Sequence, residues 1–120
     1  MAMLKREDIL AAQDLQTEDV DVPEWGGSVR VSVMTGEARD QWDQELVTVD
    51  AKGKAKANMG NIRARLVALT VVDETGQRLF TAEDAAELGR KNGAALNRVF
   101  EAAQRLNLLR AQDVEQAKGN

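Results

Sequence analysis

The hydrophobic period changes once within residues 18–46, and that change constrains the fold more than any other feature. Val20 and Val22 alternate with Asp19 and Asp21, and Val29, Val31 and Val33 alternate with Ser28, Arg30 and Ser32. Period-two alternation of β-branched residues places one side of each run on a core and the other in water. The intervening Pro23-Glu24-Trp25-Gly26-Gly27 has turn composition, because glycine accepts positive φ and proline cannot donate a ladder hydrogen bond. A β-hairpin over 18–34 follows. After Thr35-Gly36 the spacing becomes helical: Ala38, Trp42 and Leu46 recur every fourth residue, which predicts a helix over 36–48. Thr35 suits its N-cap, and Glu37 lies in the first turn, where the helix dipole favours an anion.

The remaining segments read mostly as short helices. Residues 4–13 carry Leu4, Ile9 and Leu10 on a face that needs something to dock on, since ten residues alone are marginal in water. Residues 50–58 (DAKGKAKAN) have no apolar face, and we expect an exposed, mobile loop there. Ile62, Leu66 and Leu69 predict a helix over 59–70. Val71-Val72 and the turn Asp73-Glu74-Thr75-Gly76 lead to Phe80 through a small hairpin or tight loop. Thr81-Ala82-Glu83-Asp84 reads as a capping box opening a short helix over 82–90. Asn92 caps the last helix, 93–107, whose stripe is Leu96, Val99, Phe100, Ala103 and Leu106. Glu101 and Arg105 on its polar side have the spacing of a favourable ion pair. Leu108 and Leu109 lie beyond the stripe, as core edge or as exposed contacts.

These elements predict an α+β fold, predominantly helical, with an N-terminal β-hairpin packed on about four to five short helices. Residues 1–109 form a single compact domain in this reading, and 110–120 form a polar, disordered tail. Aromatic residues are only 3% of the chain, so leucine, valine, isoleucine and alanine must build the core.

The absence of histidine and cysteine narrows function. The usual general base near neutral pH and the ordinary zinc ligands are both missing, and a disulfide framework is excluded. Ser28 and Ser32 have no imidazole partner. Glu37, Asp40 and Asp43 follow one another along a helix surface, where a solvated acidic face is the ordinary outcome. The lysines at 52, 54 and 56 lack the spacing of a phosphate-binding loop. These features point away from an enzyme and from a bound cofactor or metal. No stretch has the length of a membrane span or a signal peptide, so the cytoplasm is the expected compartment.

The charge is asymmetric: residues 1–50 sum to −8 and residues 51–120 to +4. Solubility explains this, and so does head-to-tail self-association of acidic part with basic part. The segment Ala85–Gly89 followed by Asn92–Phe100, with Asn97 and Arg98, also resembles a DNA-binding helix-turn-helix. Two departures weigh against that alternative. Arg90 stands where a small apolar residue belongs, and the second helix is offset by about one position. An acidic chain also makes few phosphate contacts, so no nucleic-acid partner is expected.

Two stretches carry a family resemblance. Val22-Pro23-Glu24-Trp25-Gly26-Gly27-Ser28-Val29-Arg30-Val31 with Thr35-Gly36-Glu37-Ala38-Arg39-Asp40, and Val71-Val72-Asp73-Glu74-Thr75-Gly76 with Leu79-Phe80-Thr81, resemble the tail assembly chaperones of long-tailed phages of the siphophage, lambda-like type. The likeness extends over residues 4–109. It implies a non-catalytic protein of the host cytoplasm that binds the tape measure protein and keeps it soluble while tail tube subunits polymerise. It also implies absence from the mature virion and, in many relatives, a longer frameshifted product. The tail tube protein is a further expected partner, and a minor structural tail or head–tail protein is an alternative role. For the contact surface we expect Arg63, Arg65, Arg78, Arg98, Leu108 and Leu109. Pro23, Glu24, Trp25, Gly26, Gly27, Thr35, Gly36, Asp73, Gly76 and Phe80 are the motif residues expected to shape the fold.

Overall fold

The fold was obtained as a computed structural model that describes residues 2–109. The expected tail, 110–120, lies outside the described residues. In chain order the elements are α1 (Arg6–Ala11), β1 (Thr17–Val22), β2 (Gly27–Ser32), α2 (Gly36–Glu45), β3 (Val47–Val49), β4 (Ala55–Ala57), α3 (Ile62–Thr70), β5 (Val71–Val72), α4 (Ala85–Leu88) and α5 (Gly93–Leu106). The fold is α+β.

The hairpin forms where the alternation predicts it. Strands β1 and β2 pair antiparallel with Asp19 opposite Arg30 and Asp21 opposite Ser28. On the wet face Arg30 Nε donates to Asp19 Oδ1 at 2.8 Å and Ser28 Oγ to Asp21 Oδ1 at 2.7 Å. The other face buries Val20, Val22 and Val31. The turn is one 3₁₀ turn over Pro23–Trp25, closed by Gly26 at φ +82°, which a side chain would strain. Strand β5 adds to β2, so the sheet order is β1-β2-β5. Beyond β5 a tight hairpin turns at Asp73–Gly76, bringing Arg78 opposite Val72.

Helix α3 is the centre of the molecule. Ala64, Leu66, Val67, Ala68, Leu69 and Thr70 are all buried, so its apolar surface runs nearly all round rather than along one stripe. Thr70 resolves its hydroxyl by donating to Leu66 O at 2.8 Å. Helix α5 lays its predicted stripe on α3 and the sheet, burying Leu96, Val99, Phe100 and Ala103. Trp42, 2% exposed, anchors α2 to the same core. The caps read from sequence are in place: Thr35 accepts from Ala38 N, Asn92 from Ala95 N, and Asp84 from Thr81 N.

Three expectations need correction. Within 50–58, expected as a loop, Ala55–Ala57 forms strand β4, which pairs antiparallel with β3 in a hairpin. Its turn is organised by Asp50, whose carboxylate accepts from Lys52 N and Lys54 N at 2.9 Å each, with Gly53 at φ +79°. Helix α2 accordingly stops at Glu45. Arg105 does not pair with Glu101; it reaches Glu18 on β1, while Glu101 accepts from Asn97. Lastly, α1 forms but buries none of its residues. Leu4, Ile9 and Leu10 are 69%, 58% and 68% exposed.

Candidate partner-binding surface

The two family stretches turn out to build corners. Pro23 opens the 3₁₀ turn, Gly27 pairs with Val22 at the hairpin mouth, and Trp25 packs against the core edge. Thr35 and Gly36 start α2. Asp73 Oδ1 accepts from Thr75 N, Thr75 Oγ1 and Gln77 N, and these bonds, the Thr75 hydroxyl first, hold its carboxyl below the usual value. Gly76 takes φ +92°, and Phe80 packs on the core.

The four arginines named from sequence have different settings. The Arg98 fork grips the Glu24 carboxylate through two bonds of 2.8 and 3.0 Å, tying α5 to the first turn across 74 residues. Arg63 donates to Asn97 Oδ1 at 2.8 Å and lies 5.6 Å above the Phe100 ring. Arg65 is partly buried and donates to the carbonyls of Glu45 and Asn58, so it joins the end of α2 to the entry of α3. Burial pulls its guanidinium below the ordinary value, with Glu45 opposing. Arg78 is exposed and, with Arg65, Gln41, Asn58 and Ala85, lines an open groove of about 350 Å³.

The two leucines past α5 separate sharply. Leu108 is 83% exposed at φ +58°, whereas Leu109 is 6% exposed and belongs to the core, the first of its two readings. Asn107 explains the change of direction. Its side chain accepts from Met34 N at 2.7 Å and donates to Ser32 O and Ala103 O, so the chain turns inward there.

The helix-turn-helix resemblance loses its reading residues to internal bonds. Helix α4 has four residues, and Asn97 and Arg98 of α5 are held by Arg63, Glu101 and Glu24. What sequence reasoning missed is the β3–β4 hairpin and the apolar surface it exposes. Its Val47 and Val49 are 45% and 67% exposed. The Lys54-Ala55-Lys56-Ala57 alternation is the signal that could have revealed strand β4.

One pH effect follows from Glu24. Arg98, and then the turn's own backbone, lower its carboxyl from 4.5 to about 2. A depressed folded-state value stabilises the fold above the unfolded value, and that share is lost as pH falls from about 4.5 to 2. Glu24→Gln is therefore expected to unfold with a shallower acid limb in that window. Thermal midpoints across pH 2–6 test it; identical slopes for variant and parent would remove the pair from the acid response.

Comparison with known proteins agrees with this architecture. Among solved structures, the chain is similar to that of the bacteriophage HK97 tail assembly chaperone, with a TM-score of 0.56 and 20% identity. The alignment covers 83% of this chain and 90% of that one, and at such identity it shows the fold alone. No curated protein matches the sequence. The family model described as phage tail assembly chaperone matches residues 5–119. Nearly the whole chain is covered by that match, and the protein belongs to the phage tail assembly chaperone family.

Proposed function

We propose that this chaperone binds the tape measure protein and keeps it soluble while tail tube subunits polymerise around it. It acts without catalysis, in the host cytoplasm, and leaves before the virion is complete. Copies of the chain self-associate along the tape measure, so that many weak contacts add up. The tail tube protein is a further partner.

The observation that carries this reading is exposed apolar surface outside a well-filled core. Leu4, Ile9, Leu10, Val49 and Leu108 are each more than half exposed. Single exposed leucines are ordinary, but grouped ones mark sites for other proteins. A tape measure is a long helical protein that needs its apolar faces covered before assembly, and this chain offers apolar side chains of the complementary kind. Arg63, Arg78 and Leu108 are the partner contacts in this reading, whereas Arg65 and Arg98 serve the fold.

Co-expression with the tape measure protein tests the reading. The tape measure is expected in the soluble fraction with this chain and in the pellet without it. Leu108→Asp introduces a residue that tolerates the positive φ of this position and removes one apolar contact, so binding is expected to weaken by roughly tenfold. A tape measure equally insoluble in both cases, or this chain in stoichiometric amount in purified particles, would overturn the proposal.

A further inference from the structure

Three segments far apart in sequence share the open groove that Arg65 and Arg78 line. Gln41 and Glu45 stand one turn apart on α2, and Arg65, Ala68 and Leu69 lie on one face of α3. Ala82, Ala85 and Ala86, from the turn Ala82–Asp84 into α4, form the third wall. The space between them is about 350 Å³, the size of a few side chains. Ala68, Leu69 and Ala85 are buried and make an apolar floor, while Ala82 and Ala86 are exposed on the rim. Alanines on that wall let a second helix approach closely, because the distance between packed helices is set by the side chains at the contact.

The positive charge in this groove is poorly answered. Among the described residues neither Arg65 nor Arg78 takes part in an ion pair. Arg65 is partly buried, yet its Nη1 donates to Glu45 O at 2.9 Å and its Nη2 to Asn58 O, both neutral acceptors. Its Nε is buried with no acceptor among the described residues. A cation so placed lacks the anion that normally offsets its loss of water. The Glu45 carboxylate, also on the lining, accepts from Gln41 Nε2 at 3.1 Å and acts on Arg65 only through space. Asp84 is held by Thr81 N, and Glu83 and Glu87 fall outside the lining. Two guanidiniums thus stand over an apolar trough, and their complement is a carboxylate carried on apolar surface.

We propose that this groove receives an Asp or Glu side chain from a helical segment of the tape measure protein, whose small apolar residues lie against Ala82, Ala85 and Ala86. The inference rests on the tape measure reading above and names the kind of segment that is recognised. Arg78, the exposed cation, pairs with the carboxylate directly. Arg65, fixed by its two carbonyls, supplies a standing positive charge behind it. Apolar contact alone would accept any apolar helix, whereas the two arginines select a segment with an acid at the contact and reject one with a lysine there.

Overlapping tape measure peptides, with both ends blocked so that side chains carry the only carboxylates, test this by fluorescence anisotropy against the full chain. Arg78→Glu reverses the exposed cation, and Ala86→Trp fills the trough. Both positions are exposed, and circular dichroism checks that each variant folds. Peptides that bind the parent are expected to carry an Asp or Glu, and changing it to the amide should weaken binding roughly tenfold. Arg78→Glu and Ala86→Trp should each cause a loss of at least that size. A peptide with the acid changed to Lys should bind Arg78→Glu better than it binds the parent, a reversal that a misfolded variant would not show. The site is ruled out if no peptide binds the parent, if the amide peptides bind as well as the acids, or if both groove variants bind as the parent does. Any of these results with a tape measure still soluble on co-expression removes the groove and leaves the chaperone role. A tape measure that stays insoluble with the parent removes both.

Discussion

Trp42→Ala is expected to lower stability by about 3–5 kcal/mol, the usual loss on emptying a core site of a large aromatic ring. Trp42 is 2% exposed and is the largest fully buried side chain in a core otherwise made of aliphatic residues and Phe100. No second aromatic ring is buried near enough to that size to take over its volume. The surrounding valines and leucines sit on different elements and can follow the vacated space only by moving those elements. Urea denaturation followed by circular dichroism measures the loss directly. A change below about 1 kcal/mol would mean that α2 is held by its ends, through Thr35 and the Arg65 bond to Glu45 O, and not by its buried face.

Asn107→Ala is the second large effect. The residue is 8% exposed and makes three bonds, one as acceptor from Met34 N and two as donor to Ser32 O and Ala103 O. Alanine leaves the Met34 amide and the Ser32 carbonyl without the bonds that the asparagine side chain makes. Each orphaned buried group costs about 1–3 kcal/mol, so a total near 2–4 kcal/mol is expected. Asn107→Gln keeps the chemistry but moves the amide by one carbon, and should recover little. Amide hydrogen exchange at Met34 gives a second readout: protection there should fall in Asn107→Ala by more than the global loss accounts for. Equal stability of the alanine variant would show that water replaces the side chain at no cost.

These two residues illustrate what could be read from the chain alone. Trp42 was legible as a core residue because its partners Ala38 and Leu46 repeat at helical spacing. The same holds for the valines of β1 and β2, and for the Thr35, Thr81 and Asn92 caps, whose bonding partners lie three residues away. Local periodicity and capping act over one turn, so one turn of sequence carries them. Asn107 was not legible. Its partners are 73 and 75 residues distant, and nothing in an asparagine after a helix announces them.

The arginines follow the same division. Arg98 looked like a free surface cation because its partner, Glu24, is in another motif. Arg105 had a permissible partner at Glu101, yet took Glu18 on the sheet. The β3–β4 hairpin escaped notice for a different reason. Burial on one side is what creates a period-two signal, and here the apolar side is uncovered, with alanine where a strand usually carries larger residues. The apolar residues of α1 are legible as needing a dock, and they stay exposed within this chain.

The clasp at Asn107 also bears on how the protein is made. Its oxygen and nitrogen hold β2 and the start of α2, and Arg98 and Arg105 reach back to Glu24 and Glu18 from the same helix. A nascent chain that has emerged only as far as α4 carries the sheet, but not the helix that roofs it. Until the ribosome has released the last of α5, the valines of β1 and β2 have α3 beside them but lack the cover that α5 supplies. Synthesis through Asn107 therefore decides when folding completes, and a message cut short before codon 107 yields a product for proteolysis.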